Sequence, residues 1–221
     1  MRSHSAFPYK KPSLEPVSVF YKMDHILHLL LFITDGGAAM KIIALNASTL
    51  PIYCRELSTV LLDAQASGNL SGFPSSLSQE AAESTFYRLR DAISKHETLI
   101  WIARDESGVV GYARLDLCAD TDGHNRAEIK GLMVHRRARR KGVGKLLIQT
   151  LEEAALRTRR GLLFLDVQAG TAGEAFWRAV GYRCLGELPD YVSSSDGYCR
   201  PAVIYYKRLF VASPYPRAVA S

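Results

Sequence analysis

Residues 127–157, AEIKGLMVHRRARRKGVGKLLIQTLEEAALR, decide how the rest of the chain is read. Ala127 to Val134 is apolar enough for a central strand, and it runs into the basic stretch from His135 to Lys141. Gly142-Val143-Gly144 follows, and from Lys145 onward the residues are good helix formers. Leu147, Leu151, Ala154 and Ala155 recur at helical spacing on one face, leaving Glu152, Glu153 and Arg157 to face water. The two glycines let backbone come close to a ligand, and the first amides of a helix have no internal partner. A helix start of this kind, flanked by arginines, suits a phosphate or pyrophosphate.

Three familiar patterns compete for this turn. A Rossmann fingerprint needs a third glycine and an acid closing a second strand, and both are missing. A P-loop needs Gly-Lys-Ser/Thr after a four-residue gap, which is also absent. A basic surface turn that happens to contain glycines is the plain alternative. The arrangement Arg139-x-x-Gly142-x-Gly144, directly after a strand and directly before a helix, resembles the acetyl-CoA loop of the GNAT N-acetyltransferases, whose signature is Gln/Arg-x-x-Gly-x-Gly/Ala.

Composition is that of a globular protein. A chain of 221 residues with 48% hydrophobic content can bury a real core in one domain of ordinary size. Between His135 and Arg160 there are nine Lys/Arg against two Glu, so this short stretch holds all of the chain's formal excess of +6. Clustered charge also marks nucleic-acid binders. Here no recognition motif or interleaved aromatics accompany it, and a small polyphosphate ligand explains it better, with no nucleic-acid partner expected. Cys54, Cys118, Cys184 and Cys199 show neither CxxC spacing nor a grouping with histidine, so no metal is expected. Reduced thiols and a cytoplasmic setting are the default.

Met1 to Ala39 reads as a leader or a mis-assigned start. Its apolar run from Ile26 to Ile33 is too short to span a bilayer, so no membrane association is expected. A signal peptide ending near Gly37-Ala38-Ala39 is a further reading. From Met40 the pattern is clean. Lys41 to Leu45 predicts a strand. Ser48, Thr49 and Pro51 open an amphipathic helix that runs from Ile52 to Ser67 and is stopped by Gly68. Ser76 and Gln79 suggest a capping box for a second helix over 78–95. Thr98 to Arg104 and Val109 to Cys118 form a hairpin about Asp105-Glu106-Ser107-Gly108. After the central strand, loop and helix come a strand (162–167), a helix (172–180) and two strands (183–187 and 202–207). The order β-α-α-β-β-β-α-β-α-β-β is a mixed α/β (α+β) arrangement and is similar to the GNAT fold over residues 40–210, leaving 211–221 as a tail.

The C-terminal half carries a closer likeness. Asn125-Arg126-Ala127-Glu128, Leu132-Met133-Val134, Arg160-Gly161-Leu162-Leu163-x-Leu165-Asp166 and Ala169-Gly170 resemble the tabtoxin-resistance acetyltransferase group. So do Glu174-Ala175-Phe176, Gly186-Glu187-Leu188-Pro189-x-Tyr191 and Ile204-Tyr205-x-Lys207. The resemblance implies acetyl-CoA as cosubstrate and an amine of a small molecule as acceptor, in a monomer or homodimer. It implies that the loop from Arg139 through Arg140, Lys141, Gly142, Val143 and Gly144 to Lys145 holds the pyrophosphate, and that the strand edge at Leu132, Met133 and Val134 pairs with the pantetheine amides.

Amine acetylation also needs a base for the acceptor ammonium, whose pKa is about 10.4 if lysine-like. Glu128 and Asp166 are the candidates. Each is an acid in or at the end of an apolar strand, where a carboxylate is costly unless it meets a cleft or a partner. Pairing with an arginine such as Arg114 or Arg126 is the structural alternative for either. Many GNAT enzymes place Phe-Tyr in the following helix, with the tyrosine protonating the leaving thiolate. This chain has Phe176-Trp177, and an indole N–H is no proton source near neutral pH. Tyr182 is the nearest substitute hydroxyl, with a packed aromatic as its plain role. The acceptor is expected between the 68–76 loop and the 189–201 connection, beside Tyr191, Asp196 and Tyr198. A protein lysine or N-terminal acceptor, and a non-catalytic acetyl-CoA sensor, are the other readings.

Overall fold

The computed structural model describes residues 29–33, 39–67, 76–193 and 198–210. They form an eight-stranded sheet with helices on both faces. The elements are β1 (Leu29–Ile33), β2 (Ala39–Leu45), α1 (Leu50–Ala66), α2 (Gln79–Tyr87), α3 (Arg90–Ser94), β3 (Thr98–Asp105) and β4 (Gly108–Leu117). They continue with β5 (Arg126–Val134), a 3-10 turn (Arg136–Ala138), α4 (Val143–Arg157), β6 (Leu162–Gln168), α5 (Ala172–Ala179), β7 (Arg183–Ser193) and β8 (Cys199–Arg208). The strand order is β1-β2-β3-β4-β5-β6-β8-β7. Every neighbouring pair is antiparallel except β5 and β6.

Alternation along the strands divides the core in two. Ile43, Leu45, Ile100, Ile102 and Tyr112 pack with Leu50, Leu57 and Leu61 of α1 and Phe86 of α2. Trp101, Ala113, Leu115, Ile129, Leu163, Leu165 and Tyr205 pack beneath α4 and α5. On α4 the stripe expected from the sequence is the buried one: Leu147, Leu151 and Ala155 are fully inaccessible and Ala154 nearly so. Each of the two leucines contributes about 2 kcal/mol of burial.

Several boundaries differ from the sequence pattern. Leu29–Ile33 lies in the stretch set apart from the domain, yet it pairs antiparallel with β2. The predicted 78–95 helix is two helices, because the Leu89 amide turns to Phe86 in a tighter i−3 bond. Its cap is Ser78, which accepts from the Ala81 amide, while Gln79 reaches Glu83 instead. At the head of α1 it is the Asn46 carboxamide, accepting from the amides of Ser48 and Thr49, that turns the chain. The strand predicted for 183–187 continues to Ser193, and the register slips between Leu188 and Val192. Pro189 falls inside that slip, where its missing N–H costs no ladder bond. The predicted stop at Gly68 and the wall from 68 to 75 lie outside the described residues, as does Asp196.

Candidate active site

The parallel pairing of β5 and β6 is short. Arg126, Ala127 and Glu128 face Leu162, Leu163 and Phe164, and no pairing follows beyond Glu128. The two strands therefore part company, and Leu132, Met133 and Val134 keep an unpaired edge toward β6, each half-buried. A strand edge of that kind has backbone groups to offer an extended ligand.

At the end of this edge stands the basic loop, and most of its arginines are already engaged. Asp63 of α1, whose side chain is only 5% exposed, accepts the Arg136 backbone N–H and Nε, and Arg139 at 3.2 Å. Burial pushes the Asp63 carboxyl up, but the Arg136 hydrogen bonds and the neighbouring cationic groups outweigh it and hold the carboxyl below its ordinary value. Arg139 also donates to Ser67 Oγ at 3.1 Å and to the Val134 carbonyl at 2.9 Å. Arg137 pairs with Asp105 at 2.6 Å. The Arg139 amide is turned back too, donating to the Arg136 carbonyl at 3.4 Å.

The free groups lie one step further on. The amides of Arg140, Lys141 and Gly142 donate to no backbone acceptor among the described residues, and the first bond of α4 runs from Leu146 to Gly142. Val143, Gly144 and Lys145 thus form the first turn, with their amides unmatched inside the helix. The side chains of Arg140, Lys141 and Lys145 form no ion pair among the described residues. Gly142 has φ +79°, and a Cβ built on it would meet nothing within 4 Å. That open, left-handed corner with six available amides fits a pyrophosphate. Gly144 is small for another reason: its Cβ would stand 3.2 Å from the Phe176 ring of α5.

The two candidate carboxylates share a face. Glu128 is opposite Phe164, and Asp166 is two residues further along β6, so both lie on the α1 face of the sheet. Phe164, Ile204 and Tyr206 are half-buried there, with Ile204 opposite Asp166 and Tyr206 opposite Phe164. Glu128 is not taken by Arg114, which forks onto Asp116 at 2.6 and 2.7 Å. Its partner is Lys130. Burial pulls the Lys130 ammonium down, but its hydrogen bond to Glu128, helped by Asp166 and Tyr191, raises its pKa overall. Lys130 is the residue skipped where the β4–β5 register slips, between the pairs Arg114–Gly131 and Leu115–Ile129.

Tyr182 is not brought to this cluster. It is 3% exposed and belongs to the core on the α4–α5 face, edge-on to Trp177 at 5.0 Å and under Lys207 at 5.3 Å. Burial, with the Glu152 charge behind it, pushes its phenol pKa up. Trp177 is 6% exposed in the same core. Tyr191 and Tyr198 are exposed.

Sequence reasoning missed Lys130 and Asp63. Strand alternation would have put Lys130 on the face of Glu128. Asp63 falls among Val60, Leu61 and Ala64 on the apolar side of α1, where an acid needs a partner.

The acetyltransferase (GNAT) family model matches residues 67–182, more than half of the chain. The chain belongs to this family. It is therefore an N-acetyltransferase that uses acetyl-CoA, and the loop at Arg140–Lys145 is where the residues suit that cosubstrate. Solved structures share the fold. The ribosomal-protein-alanine N-acetyltransferase of Brucella melitensis is 23% identical, with a TM-score of 0.62 over 76% of this chain and 99% of that one. The ribosomal-protein-S5-alanine acetyltransferase of Vibrio fischeri is 10% identical, with a TM-score of 0.64 over 79% and 96%. The yncA protein of Salmonella typhimurium, solved with its cofactor acetyl-CoA, is 13% identical, with a TM-score of 0.61 over 79% and 96%. No described helix of this acetyltransferase is long and apolar enough to cross a membrane. Among its described residues no group of three or more His, Cys, Asp or Glu could hold a metal ion.

Proposed function

We propose that this acetyltransferase transfers the acetyl group of acetyl-CoA to an amine on a small molecule by direct attack on the thioester. The observation that carries the reading is the position of Glu128. It is the last β5 residue paired with β6, beside the gap that receives the pantetheine arm.

In this reading the free amides of Arg140–Lys145 and the cations of Arg140, Lys141 and Lys145 hold the pyrophosphate. The edge at Leu132, Met133 and Val134 aligns the arm and fixes the thioester near Glu128. Glu128 then accepts the acceptor's proton, and Asp166 on the neighbouring strand draws the acceptor ammonium to the site. Holding both partners in one recess supplies much of the rate, because it replaces a bimolecular encounter. The Glu128 side chain is 23% exposed, so the acceptor nitrogen must come on a slender arm.

The likeness of the C-terminal half to the tabtoxin-resistance group supports a small acceptor. A protein acceptor is the second reading, favoured by two fold neighbours named as ribosomal-protein-alanine acetyltransferases. The test is release of CoA from acetyl-CoA in the presence of a panel of small amines and of peptides with free N-termini or lysines. Turnover confined to small amines supports the proposal. Turnover confined to peptides replaces it with the second reading, and acetyl-CoA binding without any turnover points to a sensor.

A further inference from the structure

Lys130 puts an amine where the reaction needs one. Its Nζ is in contact with Glu128 Oε1, and the charge of Asp166 on β6 also favours the ammonium. Across β4 the nearest charged groups, Arg114 and Asp116, satisfy each other, with Thr98 donating to Asp116 at 2.7 Å. The Lys130 ammonium thus contacts one carboxylate, and Asp166 lies on the same face of the neighbouring strand. The side chain is 42% exposed, so the nitrogen is reachable. Lys130 also sits at the register slip, two residues before the unpaired edge that begins at Leu132.

We propose that Lys130 is an acetyl acceptor of this enzyme: with acetyl-CoA bound and no amine present, the protein acetylates its own Lys130. This rests on the acetyl-transfer reading of the same site. Glu128 takes a proton from the Lys130 ammonium, and the freed nitrogen lone pair attacks the thioester carbonyl. An N–C bond forms as the C–S bond breaks. The sulfur leaves with the bonding pair and is protonated to CoA thiol from solvent. The second nitrogen proton is lost on formation of the neutral amide, so that one acetyl-CoA yields one acetyl-lysine and one CoA. Proximity to the base favours the step, while the carboxylates that keep Lys130 protonated slow it. The modified side chain carries no charge, so Glu128 loses its internal partner and is released for an external amine.

The test is peptide mapping by mass spectrometry of the full chain incubated with acetyl-CoA at pH 7, 8 and 9, beside Glu128→Gln and Lys130→Arg. Calorimetric titration with CoA is run on the same preparations. The expected result is acetyl-Lys130 in excess over Lys41 and Lys145. Its rate should rise about tenfold per pH unit, because the neutral amine is a minor species below its pKa. Glu128→Gln should lower it at least tenfold, and Lys130→Arg should leave that peptide unmodified. CoA binding with no acetyl-Lys130, or with acetyl-Lys130 formed no faster than at the other lysines or unaffected by Glu128→Gln, overturns this inference alone. Absence of CoA binding overturns it together with the proposed function.

Discussion

Asp63 near the end of α1 carries Arg136 of the basic loop, accepting both its backbone N–H, at 2.9 Å, and its guanidinium Nε. The loop proposed to hold the cosubstrate is therefore fastened to a helix on the α1 face of the sheet, while α4, which follows the loop, packs on the other. Removing the acid strands the Arg136 amide and frees Arg139, which shares the same carboxylate. Asp63→Ala should cost about 3 kcal/mol at neutral pH, as loss of one partner from a buried pair does, and it should weaken CoA binding. The folded carboxyl titrates below its unfolded value of about 3.9, so this stabilisation is whole above that pH and is lost as pH falls through the folded value. Thermal unfolding of wild type and Asp63→Ala should differ most at pH 6–8 and converge in acid. An equal gap at every pH would mean that the charge of Asp63 is idle.

Gly142 offers a cleaner separation of binding from folding. Its left-handed φ of +79° disfavours any other residue, yet nothing lies within 4 Å of the position a Cβ would take. Gly142→Val should lose about 1–2 kcal/mol of stability from backbone strain and keep its fold. CoA affinity, measured by calorimetry, should fall at least a hundredfold, because the branched side chain projects into the corner that the free amides surround. Unchanged affinity would remove the loop from the binding site.

Much of this was legible in the chain because it is local. Strand, glycine turn and helix follow one another over residues 127–157, and each announces itself by period or by residue type. The two candidate carboxylates stand out in the sequence because an acid in an apolar strand is conspicuous. The missing parts were relations between distant residues. Asp63 and Arg136 are separated by 73 positions, and nothing near either one names the other. The slip that leaves Lys130 out of the ladder, and the parting of β5 from β6 after Glu128, are relations between strands that no single stretch of residues declares. The long β7 was hidden by Pro189, which argues locally against a strand and is tolerated only because the register breaks there.

Trp177 occupies the position at which the resemblance to GNAT enzymes implies a tyrosine. In this protein its indole is buried between Phe176, at 5.3 Å, and Tyr182, at 5.0 Å, both edge-on. Trp177→Tyr would leave space in that aromatic cluster and bring a hydroxyl into an apolar core. It should lower stability by about 2 kcal/mol and give no gain in turnover. A rise in the rate of CoA release would show instead that the reaction lacks a proton donor that this position can supply.

Glu128 and Asp166 share a face, but only Glu128 lies at the point where the strands diverge, and only Glu128 touches the internal amine. Their substitutions should therefore differ in kind. Glu128→Gln preserves shape and removes the proposed proton acceptor, so kcat should fall roughly a hundredfold or more while KM for acetyl-CoA stays within a few-fold. Asp166→Asn removes the charge proposed to attract the acceptor, so its main effect should be on KM for the amine. Steady-state kinetics with the best amine from the panel separates the two. If Asp166→Asn carried the loss in kcat and Glu128→Gln the change in KM, the roles of the two carboxylates would have to be exchanged, and Lys130 would then be holding the binding group and leaving the base free.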